Sequence, residues 1–145
     1  MRVQVLQAEG ETTYAVVFDK GDEFASGMLE FAHGQRLDAA RFTAIGAFSR
    51  ATLGYFDRDR KDYRKIPIDE QVEVLSLVGN IALDNTEPKI HAHVVVGKAD
   101  GTAHGGHILE AHVWPTLEVI VVESPRHLRR TTDPETGLAL LRPEG

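Results

Sequence analysis

The stretch HAHVVVGKADGTAHGGH, residues 91–107, holds four of the chain's seven histidines and four of its 13 glycines. Neutral imidazole is a common metal ligand, and it is the side chain that ordinarily titrates near neutral pH. Such a cluster therefore points to metal binding or acid–base chemistry. Spacing narrows the choice. In a strand, residues two apart share a face and lie roughly 6.6 Å apart, so His91 and His93 project together while Ala92 and Val94 face the other way. Two such imidazoles can converge on one ion at about 2.0–2.1 Å per bond.

A third ligand must come from a neighbouring strand, and Lys98-Ala99-Asp100-Gly101-Thr102 is a hairpin turn that returns one. Turn length selects which. A two-residue Asp-Gly loop places His104 opposite Gly97 on the face of His91 and His93, and His107 opposite Val94 on the other face. A three-residue Ala-Asp-Gly loop, with Gly101 left-handed, places His107 opposite His93. A bulge at Gly105-Gly106 after the shorter loop also returns His107 to that face. Three histidines leave one coordination position open, as in catalytic zinc sites. Glu110, His104 and His112 are the acid–base candidates nearby in sequence. The competing reading is a set of hydrogen-bonded surface or interface histidines. His33, near a helix end, and His127, in a basic tail, read as charge-complementing surface residues.

The elements that must carry these residues are legible from patterning. Arg2–Ala8 and Thr13–Asp19 alternate as strands, with a polar turn over residues 9–12. A helix follows, with Asp22 as its expected N-cap. Phe24, Met28, Phe31 and Ala32 form one apolar face, and Gly34 is the expected C-terminal glycine. From Arg41 onward, runs such as RFTAIGAFSRATLGYFD, QVEVLSLVGNIAL, IHAHVVVG, TAHGGHILEAHV and LEVIVVE read as strands. Gly46, Gly54 and Gly79 inside them mark bulges or close backbone approaches. The pattern predicts an α+β fold, a mainly antiparallel sheet with one principal helix packed on it. One domain over residues 1–125 is expected, with residues 126–145 a tail partly folded back.

Composition excludes several classes of function. The chain of 145 residues is 42% hydrophobic and 26% charged, ordinary for one globular core. It can bury roughly 70% of its unfolded surface without staples. It has no cysteine, hence no thiolate chemistry and no need of an oxidising compartment. The opening residues lack an apolar signal region and no apolar run approaches a membrane span, so a cytoplasmic location is expected. A net charge of −6 argues against tight nonspecific binding to nucleic acid. The densest basic stretch, RDRKDYRK at residues 58–65, reads as a solvated loop around Tyr63.

The segments KGDEFASGMLEFAHGQRLDAARFTAIGAF, QVEVLSLVGNIAL, HAHVVVGKADGTAHGGHILEA and TLEVIVVE together resemble the PPC (plants and prokaryotes conserved) domain in its stand-alone bacterial and archaeal form. Glu73-Val74-Leu75-Ser76-Leu77 is similar to that family's "FEILSL" strand, Asp100-Gly101 with Gly105-Gly106-His107 to its hairpin, and Asp133-Pro134-Glu135-Thr136-Gly137-Leu138 to the tail of bacterial members. The resemblance implies an antiparallel sheet flanked by helices and assembly into a homotrimer. It also implies a divalent metal, held in several members by residues matching His91, His93 and His107, and zinc is the metal expected here. Plant members carry AT-hooks that enter DNA; this chain has none, which argues against the DNA-binding or regulatory role the family label suggests. The fold and histidine pattern are also similar to acetolactate decarboxylase, where a three-histidine metal acts as a Lewis acid on substrate oxygens. That likeness implies, as an alternative, a zinc-dependent lyase or hydrolase acting on a small hydroxy or keto acid, with Glu110 or His104 as acid–base group. A binding module using the assembled surface is the other expectation.

Overall fold

The computed structural model describes residues 1–7, 10–124 and 128–142, with backbone alone for residues 4–7. Its elements are β1 (Arg2–Gln7), β2 (Thr13–Phe18), α1 (Phe24–Gln35), β3 (Ala39–Asp57), β4 (Asp62–Ile68), β5 (Val72–Asp84), β6 (Glu87–Gly97), β7 (Ala103–Glu123), β8 (Arg129–Thr132) and β9 (Ala139–Leu141). The fold is α+β, an extensive sheet with one helix, as the sequence pattern predicts. Antiparallel pairing dominates; β5 with β8 is parallel.

Three long strands organise the sheet. β3 pairs along its length with β7, and on its other edge first with β5 and then with β4. β6 bridges β5 and the start of β7. The pairings β3–β7, β7–β6, β6–β5 and β5–β3 thus close a ring, which removes the free edges that the site strands would otherwise expose. Alternation sets the inside: Ala92, Val94 and Val96 of β6, with Phe42, Phe48, Leu53 and Leu77, are buried. His91 and His93 necessarily take the opposite face.

Helix α1 buries Phe24, Met28, Phe31 and Ala32, the predicted face. Its ends differ from expectation. The N-cap is Glu23, not Asp22: the Glu23 carboxylate accepts from Ala25 N at 3.0 Å and Ser26 N at 2.7 Å, and also from Ala111 N of β7 at 3.2 Å. The longer side chain can reach both the helix and the sheet, whereas Asp22 is occupied by the N-terminal ammonium at 2.8 Å and by Asp19 N. At the other end the helix runs past Gly34, and Arg36 takes the left-handed cap with φ 56°. Leu37 and Asp38 follow directly, and Leu37 is buried, which draws the chain inward two residues later than the glycine suggested.

RDRKDYRK is not one loop. Residues 58–61 form the turn of the β3–β4 hairpin, while Asp62–Lys65 begin β4. Arg64 lies over the exposed Tyr55 ring, 5.3 Å from its centroid. Predicted bulges appear as a register shift between Ala44 and Gly46 in β3. Of the tail, β8 and β9 pair with each other and β8 extends β5. His127 lies outside the described residues.

Candidate metal centre

The turn between β6 and β7 decides the ligand set. Gly97 pairs with Ala103, Val96 with His104 and His93 with His107, without a register shift. The loop is therefore the three-residue form: Lys98 N donates to Thr102 O, Gly101 N donates to Lys98 O, and Gly101 has φ 82°. Asp100 fixes it by accepting from Thr102 N and Oγ1 at 2.9 and 2.6 Å. Directly paired residues share a face, so His107 joins His91 and His93. His104, opposite the fully buried Val96, projects to the other face.

The three imidazoles converge. One ring nitrogen from each can be chosen so that all lie within 4.8 Å of one another. Ring centroids are 5.0 Å apart for His91–His93, 5.2 Å for His91–His107 and 5.5 Å for His93–His107. The Nε2 atoms of His91 and His93 are 3.1 Å apart. Two nitrogens bound tetrahedrally to zinc at about 2.05 Å stand about 3.3 Å apart, so this pair already has the required separation. His107 completes the trio, with a ring nitrogen inside the same 4.8 Å spread. Its Nδ1 is buried and has no partner among the described residues, the condition of a ligand atom awaiting an acceptor or a metal.

The electrostatics keep the site ready. Burial, then the neighbouring His91 and His93, pushes the His107 pKa down to about 4. Burial, with smaller contributions from His93 and Arg130, also lowers that of His91. Both rings are neutral near pH 7 and keep the lone pair that a metal needs.

Glycine and an aromatic ring shape the pocket around His107. Gly54 of β3 pairs with His107 on one side and Lys65 of β4 on the other. Because Gly54 has no side chain, the Tyr63 ring can lie across it; a Cβ there would sit 2.7 Å from Tyr63 Cδ1. Tyr63 stacks on His107 at 4.7 Å and 25°. Gly106 approaches the same backbone, where a Cβ would fall 2.8 Å from the Gly54 carbonyl oxygen. At Gly105 the nearest atom, Val94 O, would be 3.3 Å away. Gly106→Ala is therefore expected to cost about 1–3 kcal/mol, as overpacking does, and to weaken metal binding by displacing His107. Gly105→Ala should change both far less. Chemical denaturation with metal titration checks the pair, and equal effects would remove the close-approach argument.

The other residues singled out in the sequence do not join the histidines. A register shift between Thr52 and Leu53 lets β7 slip one residue against β3. The extra residue turns Glu110 outward on the same face as His107, but further along β7, where it belongs to a separate pocket with Arg50, Asp69 and His112. There His112 Nε2 lies 2.6 Å from Glu110 Oε1 and 3.1 Å from Arg50 Nη2. His33 is exposed, with Nε2 3.7 Å from Glu87 Oε2 near the helix end. Sequence reasoning did not anticipate Tyr63 as the ring against His107, nor Asn80 and Arg130 beside His91. The directly paired position Asn80↔His91 was the available signal for Asn80. For Arg130 there was none, since the contact depends on where the tail lands.

Three histidines on one face of an antiparallel sheet, with a helix on the other side of its core, define a β-sheet protein carrying a candidate three-histidine metal centre. Residues 6–125 match the Plants and Prokaryotes Conserved domain, abbreviated PCC or PPC, and the chain belongs to that family. It is similar to a metal-containing protein from Archaeoglobus fulgidus, at 34% identity and TM-score 0.83, covering 98% of this chain and 97% of that one. It is also similar to a PPC protein from Pyrococcus horikoshii, at 28% identity and TM-score 0.86, covering 97% and 99%. A Staphylococcus aureus protein similar to α-acetolactate decarboxylase shares 11% identity with a TM-score of 0.54, over 84% of this chain and 53% of that one, a likeness of fold alone. In sequence, the bifunctional protein GlmU of Synechococcus sp. (strain JA-3-3Ab) is 30% identical over 139 residues, 94% of this chain. The chain spans about a fifth of the length of the curated relatives it matches, 21% and 18%.

Proposed function

We propose that this chain is a homotrimeric metal-binding domain in which His91, His93 and His107 of each subunit hold one zinc ion. The observation that carries this reading is the convergence of three imidazoles, one ring nitrogen of each within 4.8 Å of the others and one pair at 3.1 Å. The metal-containing relative supports it. When bound, a zinc with an open position supplies a Lewis acid for an oxygen ligand. The trimer is supported by the sheet face around the site, where Ile45, Leu75, Val78, Val95 and Ile120 are all exposed. So much apolar surface on one face marks an interaction site.

A ligand-binding or enzymatic role is favoured over a nucleic-acid one by a specific feature: a cavity of about 210 Å³ opens beside His91 and His107. The basic residues at 58–65, by contrast, lie on a hairpin interleaved with Asp59 and Asp62. No helix among the described residues is long and apolar enough to cross a membrane, and a cytoplasmic location fits the cysteine-free sequence. Native mass spectrometry of the purified protein tests assembly and metal together. The expected result is three chains of 16.0 kDa with three zinc ions. A metal-free monomer at micromolar concentration would overturn both parts.

A further inference from the structure

We propose that the cavity beside the histidines is a binding site for a small organic carboxylate, and that Arg130, delivered by the C-terminal tail, is the residue that recognises it. This rests on the metal-centre reading for the ligand's second oxygen, and on Arg130 alone for its carboxylate.

Arg130 stands on β8, outside the span matched by the family, and is 5% exposed. Two neutral oxygens hold its guanidinium: Nη1 donates to Ala139 O at 3.1 Å, and Nη2 donates to Asn80 Oδ1. Its Nε is buried and has no acceptor among the described residues. The negative charge it feels is that of Asp84, whose carboxylate is already paired with Lys89 Nζ at 3.0 Å. A buried cation with neutral acceptors and one idle donor is costly to keep, and a planar fork of N–H groups matches a carboxylate in both charge and geometry.

Placement ties this group to the metal ligands. Asn80, which anchors Arg130, pairs directly with His91 across β5 and β6. Arg130, His91, His107 and Tyr63 line one cavity, and Leu138 and Leu140 of the tail form its apolar wall. At about 210 Å³ it has room for several waters, and hence for a small organic acid. The chemistry is that of a 2-hydroxy or 2-keto acid: a carboxylate for Arg130, a short carbon body against the leucines, and an adjacent oxygen toward the histidines.

Calorimetric titration of zinc-loaded and metal-free protein with lactate, and with its neutral isostere lactamide, tests the assignment. Zinc-loaded wild type should bind lactate at least about tenfold more tightly than lactamide, the scale of one charge-assisted pair. Arg130→Gln should abolish that preference while zinc stoichiometry and lactamide binding stay unchanged. Leu140→Trp, which fills the cavity from a partly exposed position, should remove lactate binding with zinc retained. Equal affinities for lactate and lactamide in wild type, or an unchanged preference in Arg130→Gln, would overturn the proposal. If Arg130→Gln does not fold, Arg130→Lys replaces it, and full retention of the preference there would refute the guanidinium fork. If wild type takes up no zinc, the metal reading fails on its own; a lactate preference in metal-free protein that is lost in the Arg130 variant would still sustain this one, and its absence would end it.

Discussion

His107→Ala should abolish zinc retention after chelator treatment and reloading, while His104→Ala should leave it near the wild-type level. The contrast follows from one residue of loop length. With Ala99-Asp100-Gly101 as the turn, His107 pairs with His93 and His104 pairs with Val96 on the core side. Removing one of three protein ligands takes away a coordinate bond outright, so the effect should exceed the roughly 10–100-fold typical of residues that only orient ligands. His91→Ala and His93→Ala should match His107→Ala. Tyr63→Leu, which removes the ring stacked on His107 but no ligand atom, should fall within that 10–100-fold range. Elemental analysis of the reloaded proteins reads the result directly. Wild-type zinc content in both His93→Ala and His107→Ala would mean that these histidines serve packing or an interface.

Metal-free protein should lose stability steadily as pH falls from about 6.5 toward 4, and zinc should add stability that is largest above this window. In the folded chain, burial holds His107 neutral down to about pH 4, against 6.5 for a free imidazole. Between these values the unfolded chain binds the extra proton and the folded chain does not. Stability therefore rises with pH through this window, is fully present above 6.5, and is lost on acidification. His91 shifts in the same direction and adds to the effect. Zinc binds the neutral rings and stabilises the folded state by about 4 kcal/mol at a free concentration one thousand times its dissociation constant. Protons compete for the same lone pairs, so this stabilisation fades as pH drops. Thermal unfolding across pH, with and without chelator, should show two curves that are well separated at pH 7 and converge near pH 4. Superimposed curves at pH 7 would show that no metal couples to folding.

What local sequence determined was the direction in which side chains point. Alternation in IHAHVVVG dictates that His91 and His93 share a face while Ala92, Val94 and Val96 are buried. The 3.6-residue spacing of Phe24, Met28, Phe31 and Ala32 selects the buried side of α1 in the same way. These outcomes depend on period alone and survive any choice of neighbour. Which groups meet across strands is a different matter, because it depends on loop length and bulges, where one residue moves a side chain to the opposite face. The sequence admitted either His104 or His107 until the register of β6 against β7 chose His107. The same sensitivity turns Glu110 outward: without the shift between Thr52 and Leu53 it would face the core, and with it Glu110 meets Arg50 and His112, further along β7 than the histidines. Tyr63 reaches His107 because Gly54 leaves room between β4 and β7, and Glu23 displaces Asp22 as cap because it can also hold Ala111 N. Arg130 arrives beside His91 from 39 positions away through a short parallel pairing with β5 and an amide on Asn80. Such contacts are decided by packing between segments distant in the chain, whose energies are paid only once the sheet has closed, so no local pattern encodes them.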